Sequence, residues 1–148
     1  MNWSPAQMEA IVERGCNLLV SAAAGSGKTA VLVERITRLI VEERVELDRL
    51  LVVTFTNAAA AEMKERISRG IAAELEAHPD LEEHLLKQMK QLGRASISTL
   101  HSFCTEVVRR HFHLVGVDPN FRIGDESQAL LIQQEVVEEL LEKEYEQA

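Results

Sequence analysis

Ala22-Ala23-Ala24-Gly25-Ser26-Gly27-Lys28-Thr29 stands between a short apolar run, Leu18, Leu19 and Val20, and a segment with helical spacing, Val31, Leu32, Ile36 and Leu39. A strand, a glycine-rich turn ending in Lys-Thr and then a helix form the arrangement that wraps backbone N–H groups around phosphates. Gly25 and Gly27 admit backbone conformations closed to other residues and a close approach to phosphate oxygens. The N-terminus of the following helix offers unpaired donors and a partial positive charge. Lys28 would set a point charge on the β/γ-phosphates, and the Thr29 hydroxyl would ligate Mg²⁺. Ala22 occupies the position where the usual pattern begins with Gly, so the flanking strand and helix carry much of the reading. The bland alternative is a glycine turn with a surface lysine. The sequence predicts a loop that binds a nucleoside triphosphate.

Outward from this loop, strands and helices alternate. Ser4-Pro5-Ala6-Gln7 has capping-box spacing and predicts a first helix to about residue 14, closed by Gly15. Strands are expected at 18–21, 50–55 and 95–98, the second buried on both faces because its apolar run is continuous. Helices are expected at 28–42, from Thr56-Asn57 to Pro79, from an Asp80 cap to about 92, from 99 to about 115, and from an Asp125 capping box to the end. Residues 117–124 read as a loop with a short strand. The pattern predicts an α/β domain with a parallel sheet flanked by helices and a ligand at the carboxyl ends of the strands. Residues 22–29, 54–57 and 98–102 all fall where a strand ends and a helix begins.

Composition fits one domain of 148 residues with 46% hydrophobic and 27% charged residues. No apolar run approaches the roughly 20 residues of a membrane span, and the N-terminus lacks a secretory leader, so no membrane partner and a cytoplasmic location are expected. Cys16 and Cys104 are too few for a disulfide framework or a metal cluster and are expected as buried free thiols. Net charge is −8, but residues 125–148 hold eight acids and one base, a net of −7, which leaves −1 for the rest. Bulk acidity therefore does not exclude a nucleic-acid partner.

Two strand-end clusters bear on that partner. Thr54-Phe55-Thr56-Asn57 offers short hydrogen-bonding side chains and an aromatic ring, suited to holding phosphates and stacking a base, with Lys64, Arg66 and Arg69 on the next helix. Phe55 as core and Asn57 as a plain N-cap is an equally open reading. Ser98-Thr99-Leu100-His101-Ser102-Phe103-Cys104 is similar in character, with Arg109 and Arg110 further on. His101 taken alone reads as structural.

Together these segments resemble the superfamily 1 DNA helicases of the UvrD/Rep type. Gln7 matches the family's Q motif, and residues 20–29 match motif I, including Ala in place of the first Gly. Residues 52–57 followed by Ala58 to Ala61, Glu62, Met63 and Arg66 match motif Ia, and residues 98–103 look like motif Ib. The triple alanine, residues 49–53 and residues 94–104 are similar to the bacterial helicase–nuclease (AddA) branch. The resemblance implies a RecA-like P-loop NTPase fold, incomplete here, with 1–116 the first half of motor domain 1A and 117–148 the start of an inserted helical subdomain 1B. It implies ATP and Mg²⁺ as cofactors, held by Gln7, Ala22, Ala23, Ala24, Gly25, Ser26, Gly27, Lys28 and Thr29. Gln7 would read adenine in competition with its capping role, its side chain serving one task at a time. Lys28 would stabilise charge on the transferred phosphoryl group, and Thr29 would hold the metal. Thr54, Phe55, Thr56, Asn57, Thr99 and His101 would contact single-stranded DNA at duplex ends. The implied parent is an ATP-dependent helicase and exonuclease of double-strand break repair and recombination, paired in a heterodimer with an AddB-like nuclease.

An ATPase of this class also needs an apolar strand ending in Asp-Glu and arginines from a second motor domain. The nearest mimic, Leu114-Val115-Gly116-Val117-Asp118, runs directly into Pro119. The sequence thus reads as an N-terminal piece that binds nucleotide weakly, hydrolyses it negligibly and leaves an apolar sheet edge exposed. Two other classes compete. A small P-loop phosphotransferase would need an acid near the second strand, where Thr-Phe-Thr-Asn stands instead. A non-catalytic interaction module would dock through the acidic helix at 125–148.

Overall fold

The computed structural model describes residues 2–147 and divides into two compact units, Met1–Val107 and Val108–Ala148. The first unit is mixed α/β. Helix α1 (Pro5–Val12) begins with the expected capping box: the Ser4 hydroxyl accepts from the Gln7 N–H, and Gln7 Oε1 accepts from the Ser4 N–H at 2.9 Å. Helix α2 (Lys28–Val41) follows the glycine loop. Strand β1 (Leu51–Thr54) leads into the long helix α3 (Asn57–Ala77), whose N–H of Ala59 is capped by the Thr56 hydroxyl. Helix α4 (Glu82–Gln91), strand β2 (Ser96–Thr99) and helix α5 (Leu100–Arg110) complete the series.

β1 and β2 pair in parallel, with Val52 opposite Ile97 and Thr54 opposite Thr99. Side chains alternate along a strand, so this register puts Val52 and Ile97 on one face. That face is covered by α3, which offers Met63, Ile67 and Ile71 at four-residue intervals as a single stripe. Ile36 and Ile40 of α2 and Leu85 of α4 join the same cluster. Each fully buried side chain of this kind contributes about 1.5–3 kcal/mol. A smaller cluster of Ala10, Ile11 and Val31, with Trp3 against it, fastens α1 to α2.

Several expectations are corrected. Residues 18–21 form no strand among the described residues, and Leu19 is 93% exposed. A strand exists only by exchanging backbone hydrogen bonds with a neighbour, and the two-stranded sheet contains only β1 and β2. For the same reason β1 is buried on one face rather than two: Val52 is buried, while Leu51 and Val53 are about half exposed at 49% and 46%. Asp80 does not cap α4. It lies inside a 3₁₀ turn, Pro79–Leu81, which the preceding proline pre-sets. Cys16 and Cys104 are both exposed instead of buried. The helix expected to 115 breaks at His111, and residues 117–124 hold no strand.

A polar clasp stands within the apolar packing. Gln88 of α4 is fully buried; its Oε1 accepts from the Leu47 N–H at 2.8 Å, and its Nε2 donates to Glu46 at 2.8 Å. Lys87 Nζ donates to the other Glu46 oxygen at 2.7 Å. Gln88 thereby satisfies a buried backbone donor just before β1, which would otherwise cost about 1–3 kcal/mol. Its amide, and then Lys87, hold the Glu46 carboxyl below its ordinary value of 4.5.

The second unit begins with the C-terminal end of α5 and contains α6 (Phe112–Val115) and α7 (Glu126–Gln147). Gly116, at φ 65°, closes α6 in the left-handed conformation. The expected capping box opens α7: Asp125 Oδ1 accepts from the Gln128 N–H at 2.9 Å, and Gln128 Oε1 accepts from the Asp125 N–H at 3.2 Å. Among the described residues no helix is long and apolar enough to cross a membrane.

Two outcomes follow from this packing. A Cβ at Gly70 of α3 would lie 2.7 Å from Thr37 Oγ1 of α2, on a stiff β-branched side chain. Gly70→Ala is expected to lower stability by about 1–2 kcal/mol in urea denaturation, despite the helix preference of Ala. In a Thr37→Ala background the same change becomes neutral or stabilising, and equal cost in both backgrounds would refute the contact. Because Glu46 is held low, its stabilisation is complete above its ordinary value and is lost as pH falls through the depressed one. Glu46→Gln should therefore lose less stability than the parent between about pH 5 and pH 3, read from urea midpoints across that window.

Candidate nucleotide and nucleic-acid site

The glycine loop is built from two left-handed residues, Gly25 at φ 78° and Gly27 at φ 84°. Neither conformation suits a residue with a Cβ, which is why glycine stands at both positions. Between them Ser26 donates its N–H to the Ala23 carbonyl at 3.3 Å. Lys28 folds back over the turn, its ammonium donating to the carbonyls of Ala22 at 2.5 Å and Ala23 at 2.8 Å. An ammonium has three donors, so one remains for a further acceptor. Unlike α1 and α3, helix α2 carries no side-chain cap at its N-terminus. Its first amides, with Thr29 exposed beside them, are left to an external anion. Space in front of Gly25 is open, with nothing within 4 Å of where a Cβ would stand. The residues present fit a phosphate chain.

Gln7 does more than its spacing suggests. While Oε1 completes the capping box of α1, Nε2 donates to the Ser26 carbonyl at 3.1 Å. One side chain thus serves the cap and the loop together, contrary to the expectation that it serves one task at a time. One amide hydrogen and one lone pair remain for a ligand. A Cβ at Gly27 would stand 3.4 Å from the same Nε2, so the glycine also leaves room for this strut.

Sequence reading missed Trp3 and Ala30. With Val33, Glu34 and Arg66 they line a groove of about 510 Å³ beside the first turn of α2. Tryptophan just ahead of a helix start reads as core packing, and only the tertiary structure opens a cavity against it.

The second constellation lies at the carboxyl end of the sheet. The register sets Thr54 directly opposite Thr99, so residues 54–57 and 99–102 share one rim although 41 residues separate the two strands. Thr54 Oγ1 donates to the Thr56 carbonyl at 3.0 Å, and Thr99 Oγ1 meets Ser102 Oγ at 2.8 Å while accepting from its N–H. Phe55 is wholly exposed, at 102% of its reference area, and Asn57 and His101 are exposed as well. The core reading of Phe55 is thereby excluded, and the capping role falls to Thr56 rather than Asn57. Arg66 and Arg69 are not directed to this rim: they pair with Glu62 at 2.5 Å and Glu65 at 2.7 Å on their own helix.

A family model described as "UvrD/REP helicase N-terminal domain" matches residues 3–148. The chain belongs to the UvrD/REP helicase N-terminal domain family. Curated relatives named as the AddA-type component of an ATP-dependent helicase/nuclease are similar over nearly all of it. That of Alkaliphilus metalliredigens (strain QYMF) is 57% identical over 147 residues, 99% of this chain. Those of Alkaliphilus oremlandii (strain OhILAs) and Clostridium novyi (strain NT) are 59% and 56% identical over 97% and 99% of it. The chain spans about 12% of the length of each of these relatives.

In this UvrD/REP helicase domain the loop and the rim are built by different elements, and an exposed phenylalanine at a strand end is their least economical feature. Phe55→Ala is expected to leave stability within about 0.5 kcal/mol of the parent, where truncating a core phenylalanine costs about 3–5 kcal/mol. A large fall in the urea midpoint would contradict the exposure of the ring.

Proposed function

We propose that this chain is the ATP- and single-stranded-DNA-binding portion of an ATP-dependent DNA helicase and exonuclease that acts at double-strand breaks in recombinational repair. The observation that carries the reading is the uncapped N-terminus of α2 behind two left-handed glycines, with the Lys28 ammonium folded over the turn. In this reading the loop belongs to a RecA-like P-loop motor domain. Residues 1–116 form its first half and residues 117–148 the start of an inserted helical subdomain. The names of the relatives support helicase and nuclease activity for the whole protein, with an AddB-like nuclease as partner and the cytoplasm as location.

Gln7, Ala22, Ala23, Ala24, Gly25, Ser26, Gly27, Lys28 and Thr29 would hold the nucleotide, and the groove beside Trp3 and Ala30 has the size and the aromatic wall for its base. Bound MgATP supplies the phosphoryl group whose hydrolysis drives movement. Gly25 and Gly27 present loop amides to the phosphates, Lys28 offsets their charge, and the Thr29 hydroxyl faces the metal. Thr54, Thr56, Asn57, Thr99 and His101 would hold the DNA backbone, and Phe55 would stack a base. Since the loop and the rim are fixed to the same packed unit, a change at one can be felt at the other. Transition-state arginines and an acidic strand end belong to parts of the motor outside this chain. Asp118, the nearest acidic mimic, sits in a turn, accepting from the Asn120 N–H at 2.7 Å.

Equilibrium titration with MgATP is expected to show weak saturable binding, reduced at least tenfold in Lys28→Ala, and turnover at the blank level with or without single-stranded DNA. A folded chain that binds no nucleotide would overturn the ATP reading. Turnover that vanishes in Lys28→Ala would overturn the assignment of the catalytic machinery to parts beyond this chain.

A further inference from the structure

The second unit has a charge asymmetry that the rim and the loop do not use. Residues 109–122 hold Arg109, Arg110 and Arg122 against one acid, Asp118, a net of +2, in a chain whose net charge is −8. The one acid is turned inward on its own loop, its Oδ1 accepting from the Asn120 N–H.

Aromatic rings are interleaved with these cations. The Arg109 guanidinium lies over the Phe121 ring, 5.5 Å from its centroid. His113 meets the Phe112 ring edge-on at 5.6 Å and the His111 ring at 6.4 Å. The backbone fixes this arrangement. The chain breaks its helix at His111, restarts at Phe112 and stops at Gly116 in the left-handed conformation. A turn in which Phe121 donates its N–H to the Asp118 carbonyl then brings the phenyl ring beneath Arg109. Arg109, His111, His113 and Arg122 are all exposed, while Phe112 and Phe121 are half-buried supports.

Flat cationic and aromatic groups held edge to edge, with guanidiniums between them, match a single-stranded polynucleotide. Phosphates meet the charges, and bases stack on imidazole rings and on the outer face of a guanidinium held flat by a phenyl ring. An acidic peptide would use the charge but leave the ring planes idle. We propose that Arg109, His111, His113 and Arg122 form a second contact for single-stranded DNA, separate from the Thr54–Thr99 rim. The surface stands on its own geometry and does not depend on the rim reading.

Fluorescence anisotropy of the full 148-residue chain with a labelled oligothymidylate tests it, circular dichroism confirming that each variant folds. Arg109→Ala/Arg122→Ala is expected to weaken binding about tenfold and to flatten the plot of log affinity against log salt by about 1.4, the share of two phosphate contacts. Arg109→Lys should recover the salt slope but not the full affinity, because an ammonium keeps the charge and loses the plane. An abasic strand should bind less tightly than oligothymidylate to the parent and equally to His111→Ala/His113→Ala. Variants at these four positions that bind like the parent, while Phe55→Ala loses binding, would overturn the proposal and leave the rim reading intact. The reverse pattern would support the second contact and sink the rim. Independent of any substitution, imidazole proton resonances of His111 and His113 should move on adding the oligonucleotide. Their staying still, or moving only with a polyglutamate peptide, would refute a nucleic-acid partner for this surface.

Discussion

Two parallel strands cannot be joined by a tight turn, so the chain between Thr54 and Ser96 must leave the sheet, cross one face and return. That crossover is α3 and α4, and the rest of the first unit depends on it. The stripe of Met63, Ile67 and Ile71 covers Val52 and Ile97, while the opposite side of α3 receives α2 through the close approach at Gly70 and Thr37. The clasp from Gln88 to Leu47 and Glu46 then ties the returning helix to the segment that enters β1. A slip of one residue in the pairing would turn Val52 and Ile97 outward and Leu51 and Val53 inward, onto a face where α3 has no room for them. The same register makes Thr54 and Thr99 neighbours, so the packing that sets the core also sets the candidate DNA-binding rim.

The loop depends on a smaller device. A helix N-terminus without a side-chain cap leaves donors unpaired, and α1 and α3 solve this with Ser4 and Thr56. At α2 the capping position is Gly27 in a left-handed conformation, which has no side chain to offer. The orphan donors are thus kept for an anion, at a cost in stability that the Ala10, Ile11 and Val31 cluster and the Gln7 strut offset. Gln7 connects the two solutions, closing the cap of one helix while steadying the turn that leads into the other.

Motif residues in this UvrD/REP helicase domain are mostly local in their geometry, and this governs what could be read in advance. The capping boxes at Ser4 and Asp125, the glycine loop, the long helix from Asn57 and the two paired strands follow from spacing within a few residues. The strand expected at residues 18–21 fails because a strand is not a local property: its hydrogen bonds must go to another segment, and apolar content cannot supply one. Burial of both faces of β1, and burial of Cys16 and Cys104, failed for the same reason, since neither composition nor period specifies what covers a face. Phe55 lay beyond local reasoning in the opposite sense, an aromatic side chain that reads equally as core or as contact until its exposure is known.

By itself the sequence determined the element types and the chemical character of the loop, because caps, left-handed glycines and helix periodicity are fixed by interactions within about four residues. It also determined, through the order of its motifs, the family to which the chain belongs. Only the tertiary structure decided that Thr54 faces Thr99, that Gln7 reaches Ser26, that Trp3 walls a groove and that Arg109 lies over Phe121. Those relations join positions between 12 and 45 residues apart in the chain, brought together by burial of the α3 stripe, by the loop or by a turn. Hydrophobic burial has no direction of its own, so which polar groups it carries into contact is settled by packing and not by pattern.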